Sequence, residues 1–95
     1  MTAPFDPGRG YGLNPAVALR PEPFGALAYH FGNRRLSFLK APELVELVRG
    51  LGSYRCASDA LAAVPDARRD AYLRALASLA AADMIVPQQV EGEVA

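Results

Sequence analysis

His30 and Cys56, the single histidine and the single cysteine, are the first candidates for acid–base or nucleophilic chemistry. Neither has a sequence partner for such a role: His30 falls opposite Arg35 in a predicted hairpin, and Cys56 stands outside any CxxC pair. We interpret His30 as a surface or structural histidine and Cys56 as a small core residue. The glycine-rich residues 8–12 lack the GxxxxGK(S/T) pattern of a phosphate loop. The sequence therefore predicts no enzyme, no metal site and no cofactor.

Length and charge narrow the class of protein. The chain has 95 residues, 52% of them hydrophobic, with ten acidic and ten basic side chains. This composition predicts one soluble globular domain with a compact core. A zero net charge lacks the basic excess of a typical nucleic-acid binder. The absence of a signal peptide and of a long apolar run predicts a cytoplasmic protein that does not contact membranes.

The strands and helices that must position any site are predicted from the places of proline and glycine and from the hydrophobic period. Prolines and glycines crowd the start of the chain, so we expect a flexible arm at residues 1–12, a domain at residues 13–87 and a flexible tail at residues 88–95. Within the domain, the hydrophobic period changes from about two to about 3.6 near Lys40. Strands followed by helices are therefore predicted.

The strand region contains a predicted hairpin. Residues 16–20 form a first strand ended by Pro21 and Pro23, and residues 24–31 and 34–39 pair around a two-residue turn at Gly32-Asn33. This register sets three cross-strand pairs: Phe31 with Arg34, Tyr29 with Leu36, and Leu27 with Phe38. One face then carries the large apolar side chains Leu27, Tyr29, Phe31, Leu36 and Phe38. We expect this face to cover the helices and the opposite face, with Ala26, Ala28, His30, Arg35 and Ser37, to meet water except near Leu39.

Three helices are predicted after the sheet. The first begins at Pro42 and ends near Gly52, the second covers about residues 54–64, and the third covers about residues 66–83 with Asp66 as its cap. Residues 84–87 could return as a short strand or simply pack. The fold class is therefore α+β, with a three-stranded antiparallel sheet packed on three helices, and a helix-turn-helix is the simplest arrangement.

A long sequence pattern carries a family resemblance. The segments RPEPFGALAYHFG at residues 20–32 and RLSFLK at residues 35–40 resemble the signature of the chaperones of mycofactocin biosynthesis, and the resemblance covers about residues 13–87. Members of that family are similar to PqqD-like peptide-recognition elements. The resemblance implies a winged helix-turn-helix without a catalytic centre.

The resemblance also implies partners and a site. Such a chaperone binds the leader of an MftA-like precursor peptide and delivers it to an MftC-like radical S-adenosylmethionine enzyme. The leader is expected to add to the third strand as a further strand, against the third helix. The implied peptide-binding residues are Arg34, Arg35, Leu36, Ser37, Phe38, Leu39, Arg69, Tyr72, Leu73 and Leu76. The sequence does not determine the rotation of the third helix, so some of these residues must face the core instead.

The predicted two-residue turn makes a specific statement about this edge. If Phe31 and Arg34 form a hydrogen-bonded pair, the backbone groups of Arg35, Ser37 and Leu39 point outward, toward the peptide. The charges of Arg34, Arg35 and Lys40 either bind acidic leader residues or deter aggregation at an edge strand.

Transcriptional regulation is the alternative function. A winged-helix outline can place its third helix in a DNA major groove, with Arg68, Arg69 and Arg74 as contacts. The neutral charge and the many alanines of that helix count against base reading.

Overall fold

The computed structural model of the chain describes residues 5–88. Within that range the elements follow in the order β1 (Tyr11–Leu13), β2 (Val17–Glu22), β3 (Gly25–His30), β4 (Leu36–Leu39), α1 (Pro42–Gly50), a 3₁₀ turn (Leu51–Ser53), α2 (Ala57–Ala62), α3 (Asp66–Ala81) and β5 (Ile85–Pro87). Strands β2, β3 and β4 form an antiparallel sheet in that order. The predicted α+β class with a three-stranded sheet and three helices is confirmed.

The two ends of the described range meet in a second small sheet. Strand β1 pairs antiparallel with β5, with Gly12 opposite Val86. Tyr11 is buried against the ring of Phe5, at a centroid distance of 4.9 Å. The predicted arm of residues 1–12 therefore ends inside a strand that belongs to the domain, although the mobility of both ends stays a prediction. Residues 1–4 and 89–95 of the predicted arm and tail lie outside the described residues.

The hairpin register is confirmed and its turn is not. Leu27 lies opposite Phe38 and Tyr29 opposite Leu36, as predicted. However, the hairpin closes with two bonds at His30: its N–H donates to the carbonyl oxygen of Arg35 at 3.0 Å, and its carbonyl oxygen accepts from the N–H of Arg34 at 2.8 Å. Four residues therefore lie between His30 and Arg35, and Arg34 forms a bulge. Arg34, at φ 62°, takes the left-handed conformation instead of Gly32 or Asn33.

The buried face of the sheet is the one that was predicted to meet water. Ala26, Ala28 and Leu39 are each at most 1% exposed, whereas Phe38 and Leu36 are more than half exposed. The prediction that the large apolar side chains cover the helices is therefore wrong. Large residues on the helices, among them Leu44, Leu47, Val48, Leu76 and Leu79, already fill the layer beneath the sheet. Small sheet residues suit that layer because close packing alternates large and small side chains.

The helices begin much as predicted, with differences at their ends. Pro42 occupies the first turn of α1, where its missing N–H leaves no helical bond unmade. Asp66 is the first residue of α3 and not its cap, since Pro65 stands at the cap position. Helix α2 is shorter than predicted, and half-buried Cys56 precedes it. Strand β2 runs through Pro21 because it lies at an edge, where that residue has no ladder N–H to donate.

His30 is the buried polar residue of the inner face, not a surface histidine. Its Nδ1 accepts the backbone N–H groups of Gly32 and Asn33 at 2.9 and 3.1 Å, so its Nε2 carries the proton and donates to Asp83 Oδ2 at 2.9 Å. A side chain at position 32 would meet this ring, because an added Cβ would lie 2.8 Å from Cε1 of His30. The contacts fasten the hairpin tip to the chain that follows α3.

Candidate functional site

Strand β4 forms one outer edge of the three-stranded sheet, with β3 as its partner on the other side. The N–H of His30 points to Arg35, and successive residues of a strand point their backbone groups in opposite directions. The pairs Ala28 with Ser37 and Ala26 with Leu39 therefore exchange ladder bonds. It follows that Leu36 and Phe38 direct their N–H and C=O groups out of the sheet.

The prediction for the backbone groups at this edge is wrong. Arg35, Ser37 and Leu39 were expected to direct their N–H and C=O groups out of the sheet, but these groups point toward β3. The error comes from the turn: a four-residue loop keeps the same opposite pairs as a two-residue loop but exchanges hydrogen-bonded and non-bonded positions. The register could therefore be right while the hydrogen-bonding direction was wrong.

Helix α3 spans the distance between the two ends of β4. Near its start, Nη1 of Arg68 lies 2.7 Å from Oε2 of Glu43, four residues after the end of β4. Just past its end, Nδ2 of Asn33 donates to the carbonyl oxygen of Ala82 at 3.3 Å, beside the hairpin tip from which β4 starts. The two ends of α3 thus contact residues on either side of β4 in the chain, and α3 runs in the opposite direction to β4.

The contact between Glu43 and Arg68 is an ion pair. Two groups hold the pKa of the Glu43 carboxyl below its usual range: first the backbone N–H of Glu43 itself, at the start of α1, and then the guanidinium of Arg68. Glu43 in turn raises the pKa of the Arg68 guanidinium. Because both side chains are largely exposed, this contact contributes position and charge more than stability.

The predicted residues of β4 divide into surface and core. Arg34, Arg35, Leu36 and Phe38 are exposed, Ser37 is half-buried, and Leu39 is 1% exposed. The exposed members can reach a bound peptide by side chain, and Leu36 and Phe38 can reach it by backbone as well. Leu39 belongs to the hydrophobic core.

The predicted residues of α3 are mostly occupied within the protein. Leu76 is fully buried and Tyr72 is 8% exposed, while Leu73 packs partly buried against the core. Arg69 donates to the carbonyl oxygens of Leu61 and Val64 at 3.0 and 2.8 Å, so it holds the end of α2. On the side of α3 that carries Arg68, helical spacing places a different set of residues: Ala71, Ala75 and Ser78.

The same contacts weigh on the DNA-binding alternative. Arg68 is paired with Glu43, and Arg69 is paired with Asp66 and with the carbonyls of α2. Of the three arginines proposed to contact DNA, Arg74 is the one with no ion pair among the described residues. The positive charge available to phosphates on this helix is therefore small.

Two open clefts flank these elements. One, of about 330 Å³, lies among the three helices and is lined by residues that include Leu47, Tyr54, Val64 and Tyr72. The other, of about 320 Å³, lies on the outside of the sheet between Phe24, Phe38 and Lys40. Over residues 5–88, no group of three or more histidine, cysteine or acidic side chains could hold a metal ion. No helix in that range is long and apolar enough to cross a membrane.

Sequence reasoning missed Asp83 and Asn14, which surround His30. Asn14 Nδ2 donates to the carbonyl oxygen of Asp83 at 2.8 Å, and it lies 3.3 Å from His30 Nε2. No local signal could have linked residues that are far apart in the chain. The available clue was Asp83 itself, a residue type that tolerates the left-handed conformation found there.

An exposed sheet edge, to which an extended peptide can add as a further strand, is an arrangement that peptide-binding domains use. Comparison with known proteins agrees with that class: residues 10–86 match the model of the peptide chaperone MftB family. The chain is 52% identical to the peptide chaperone MftB of Mycobacterium tuberculosis over 90% of this chain and 80% of the relative. It is 49% identical to that of Mycolicibacterium smegmatis over 93% of this chain and 88% of the relative.

The chain therefore belongs to the peptide chaperone MftB family. A third relative, the peptide chaperone MftB of Mycobacterium ulcerans, is 48% identical over 92% of this chain and 82% of the relative. The family is one of chaperones and not of enzymes, in agreement with the non-catalytic role predicted from sequence. No solved structure matches the chain.

Proposed function

We propose that this protein binds the leader of an MftA-like precursor peptide as an added strand along β4 and presents it to an MftC-like radical S-adenosylmethionine enzyme in the cytoplasm. In this role the sheet and helices act as a PqqD-like winged helix-turn-helix, with α3 beside the bound strand. Family membership supports a peptide ligand. The observation that carries the placement is the outward direction of the Leu36 and Phe38 backbone groups.

The energetics suit a reversible carrier. Backbone hydrogen bonds to the two outward residues contribute about 0.5–1.5 kcal/mol each, and ordering the free peptide opposes them. Exposed Arg34 and Arg35 add attraction for acidic leader residues. We therefore expect sub-micromolar to micromolar affinity, with Arg34, Arg35, Leu36, Ser37 and Phe38 lining the strand side. On α3, the Arg68 side replaces the buried Leu76 and the occupied Arg69 as the opposite wall.

Proline substitutions test this placement. Phe38→Pro removes an outward N–H and spares the ladder to β3, a position where folded sheets tolerate proline. We expect the leader affinity to fall at least tenfold relative to Phe38→Ala, which matches the loss of the side chain. Ser37→Pro removes a ladder N–H instead and should lower the thermal midpoint. Leader affinity by calorimetry and folding by circular dichroism distinguish the variants.

A folded Phe38→Pro variant that binds the leader as tightly as Phe38→Ala would refute binding along β4. If Phe38→Pro does not fold, hydrogen exchange on the unmodified protein decides the question. Leader binding should then slow exchange at the amides of Leu36 and Phe38, which have no ladder partner among residues 5–88. Unchanged exchange at both amides in the saturated complex would contradict the proposal.

A further inference from the structure

The outer face of the three-stranded sheet exposes a continuous group of apolar side chains. We call this group the outer aromatic face, and its members are Phe24, Leu27, Tyr29, Phe31, Leu36 and Phe38. Phe31 is 62% exposed, Phe38 59% and Leu36 55%. Soluble proteins rarely leave contiguous apolar side chains uncovered unless they form an interaction site.

The rings of this face support one another. Phe24 and Phe38 meet edge to face at a centroid distance of 5.9 Å, and Tyr29 and Phe31 do so at 5.1 Å. The cleft beside Phe38 opens onto the same surface. Because these contacts already restrict the rings, a partner would lose little side-chain entropy on binding them. The face is thus organised before any partner arrives.

The rim of the outer aromatic face is basic. Arg20 lies on it opposite Leu27, with a side chain 78% exposed, and Lys40 lines the cleft beside Phe38. Arg34 adds an exposed positive charge at the hairpin tip. Among the described residues of this face, Glu22 is the acidic one, and its carboxylate lies 3.4 Å from Nε of Arg20. In a chain of zero net charge, this is a local positive excess.

We propose that the outer aromatic face docks a folded protein whose contact surface is apolar at its centre and rimmed by carboxylates. Resting on the proposed function, the partner is the enzyme that receives the bound peptide. A basic rim selects an acidic one, because opposite charges steer encounter and like charges oppose it. A second copy of this chain fits poorly, since a twofold interface would set each basic rim against itself.

Position favours the same partner. The side chains of Leu36 and Phe38 lie on the outer aromatic face, and their backbone groups point out of the outer edge of β4, where the leader is proposed to bind. A peptide added there would extend the sheet, and alternate peptide side chains would lie on the same face. An enzyme docked on this face would therefore touch the carrier and its peptide together.

The test uses residues of the face outside β4. In Phe24→Ser/Phe31→Ser and in Arg20→Glu we expect affinity for the MftC-like radical enzyme to fall at least tenfold and several-fold respectively, with leader affinity within twofold of wild type. Tyr54→Ser and Arg74→Glu are matched controls, an exposed aromatic and an exposed cation away from this face. Biolayer interferometry measures enzyme binding, calorimetry measures leader binding, and circular dichroism checks the fold.

An unmodified chain that does not bind the enzyme, or a folded double variant that binds it unchanged, overturns the proposal. Two further results would also overturn it, both with enzyme affinity unchanged in the double variant. One is loss of a self-association that sedimentation detects in the wild type, and the other is loss of binding to anionic lipid vesicles. Failure of the leader titration alone would reject the proposed function and leave this docking result standing. The two ideas therefore fail through different measurements.

Discussion

The two faces of the β2–β3–β4 sheet differ in the opposite sense from a simple hydrophobic pattern. The inner face is built from Ala26, Ala28 and Leu39 around the polar His30, and all four are buried. The outer face carries the larger apolar side chains, and several remain more than one-third exposed. Hydrophobicity therefore does not decide which face a helical layer covers when that layer brings large side chains of its own.

The two faces of the sheet also differ in how far their side chains can change without loss of the fold. The inner face is held by packing and by the hydrogen bonds of His30, so it can change little without loss of the fold. The outer face exposes most of its large apolar side chains, and it lies beside the edge of β4 that no other described strand pairs with. We expect stability to depend on one face and binding on the other.

Neighbouring residues on opposite faces should give the largest contrast. Leu39→Ala, which empties a buried position, should lower the free energy of unfolding by about 2–5 kcal/mol. Phe38→Ala should lower it by about 0.5–1.5 kcal/mol, chiefly through lost contact with Phe24. Urea denaturation of both variants measures the difference. Equal losses would mean that the two faces do not divide the work as described.

His30 tests the inner face through its polar member. His30→Ala leaves the N–H groups of Gly32 and Asn33 without their acceptor, and we expect a loss of about 1–3 kcal/mol in the free energy of unfolding. Asp83→Asn is the matched control, since its amide oxygen still accepts from His30 and asparagine tolerates a positive φ. A His30→Ala protein as stable as wild type would show that this contact does not secure the hairpin tip.

The smallest effect is expected at the exposed ion pair between Glu43 and Arg68. Its own backbone N–H and then Arg68 lower the pKa of Glu43 in the folded protein. The ionised carboxylate therefore stabilises above the unfolded-state pKa, and this contribution disappears as pH falls through the folded-state pKa. Glu43→Gln should therefore melt slightly below wild type at neutral pH, and the gap should close on acidification. Thermal midpoints of both proteins across acidic pH check this. A gap that widens toward low pH would contradict the assignment.

Several features of the fold were predictable because they depend on nearby residues. The start of α1 follows from Pro42, whose ring fits a first helical turn. The opposition of Leu27 to Phe38 follows from where the loop between the two alternating segments is centred, because two-residue and four-residue loops with the same centre give the same opposite pairs. The outline of the candidate site, an edge strand followed by three helices, could be predicted for the same reason.

Local pattern could not determine the details that define the site. Alternation divides β3 into two faces, but the helices decide which is covered, and their large side chains select Ala26 and Ala28. The outward backbone of Phe38 depends on a four-residue turn that His30 holds in place, and His30 is itself held by Asp83. Contacts between residues distant in the chain arise only when the helices pack. Residue patterns were therefore enough to predict the β2–β3–β4 sheet, its register and the three helices. The packing of those helices selects the side of each strand that a partner can reach.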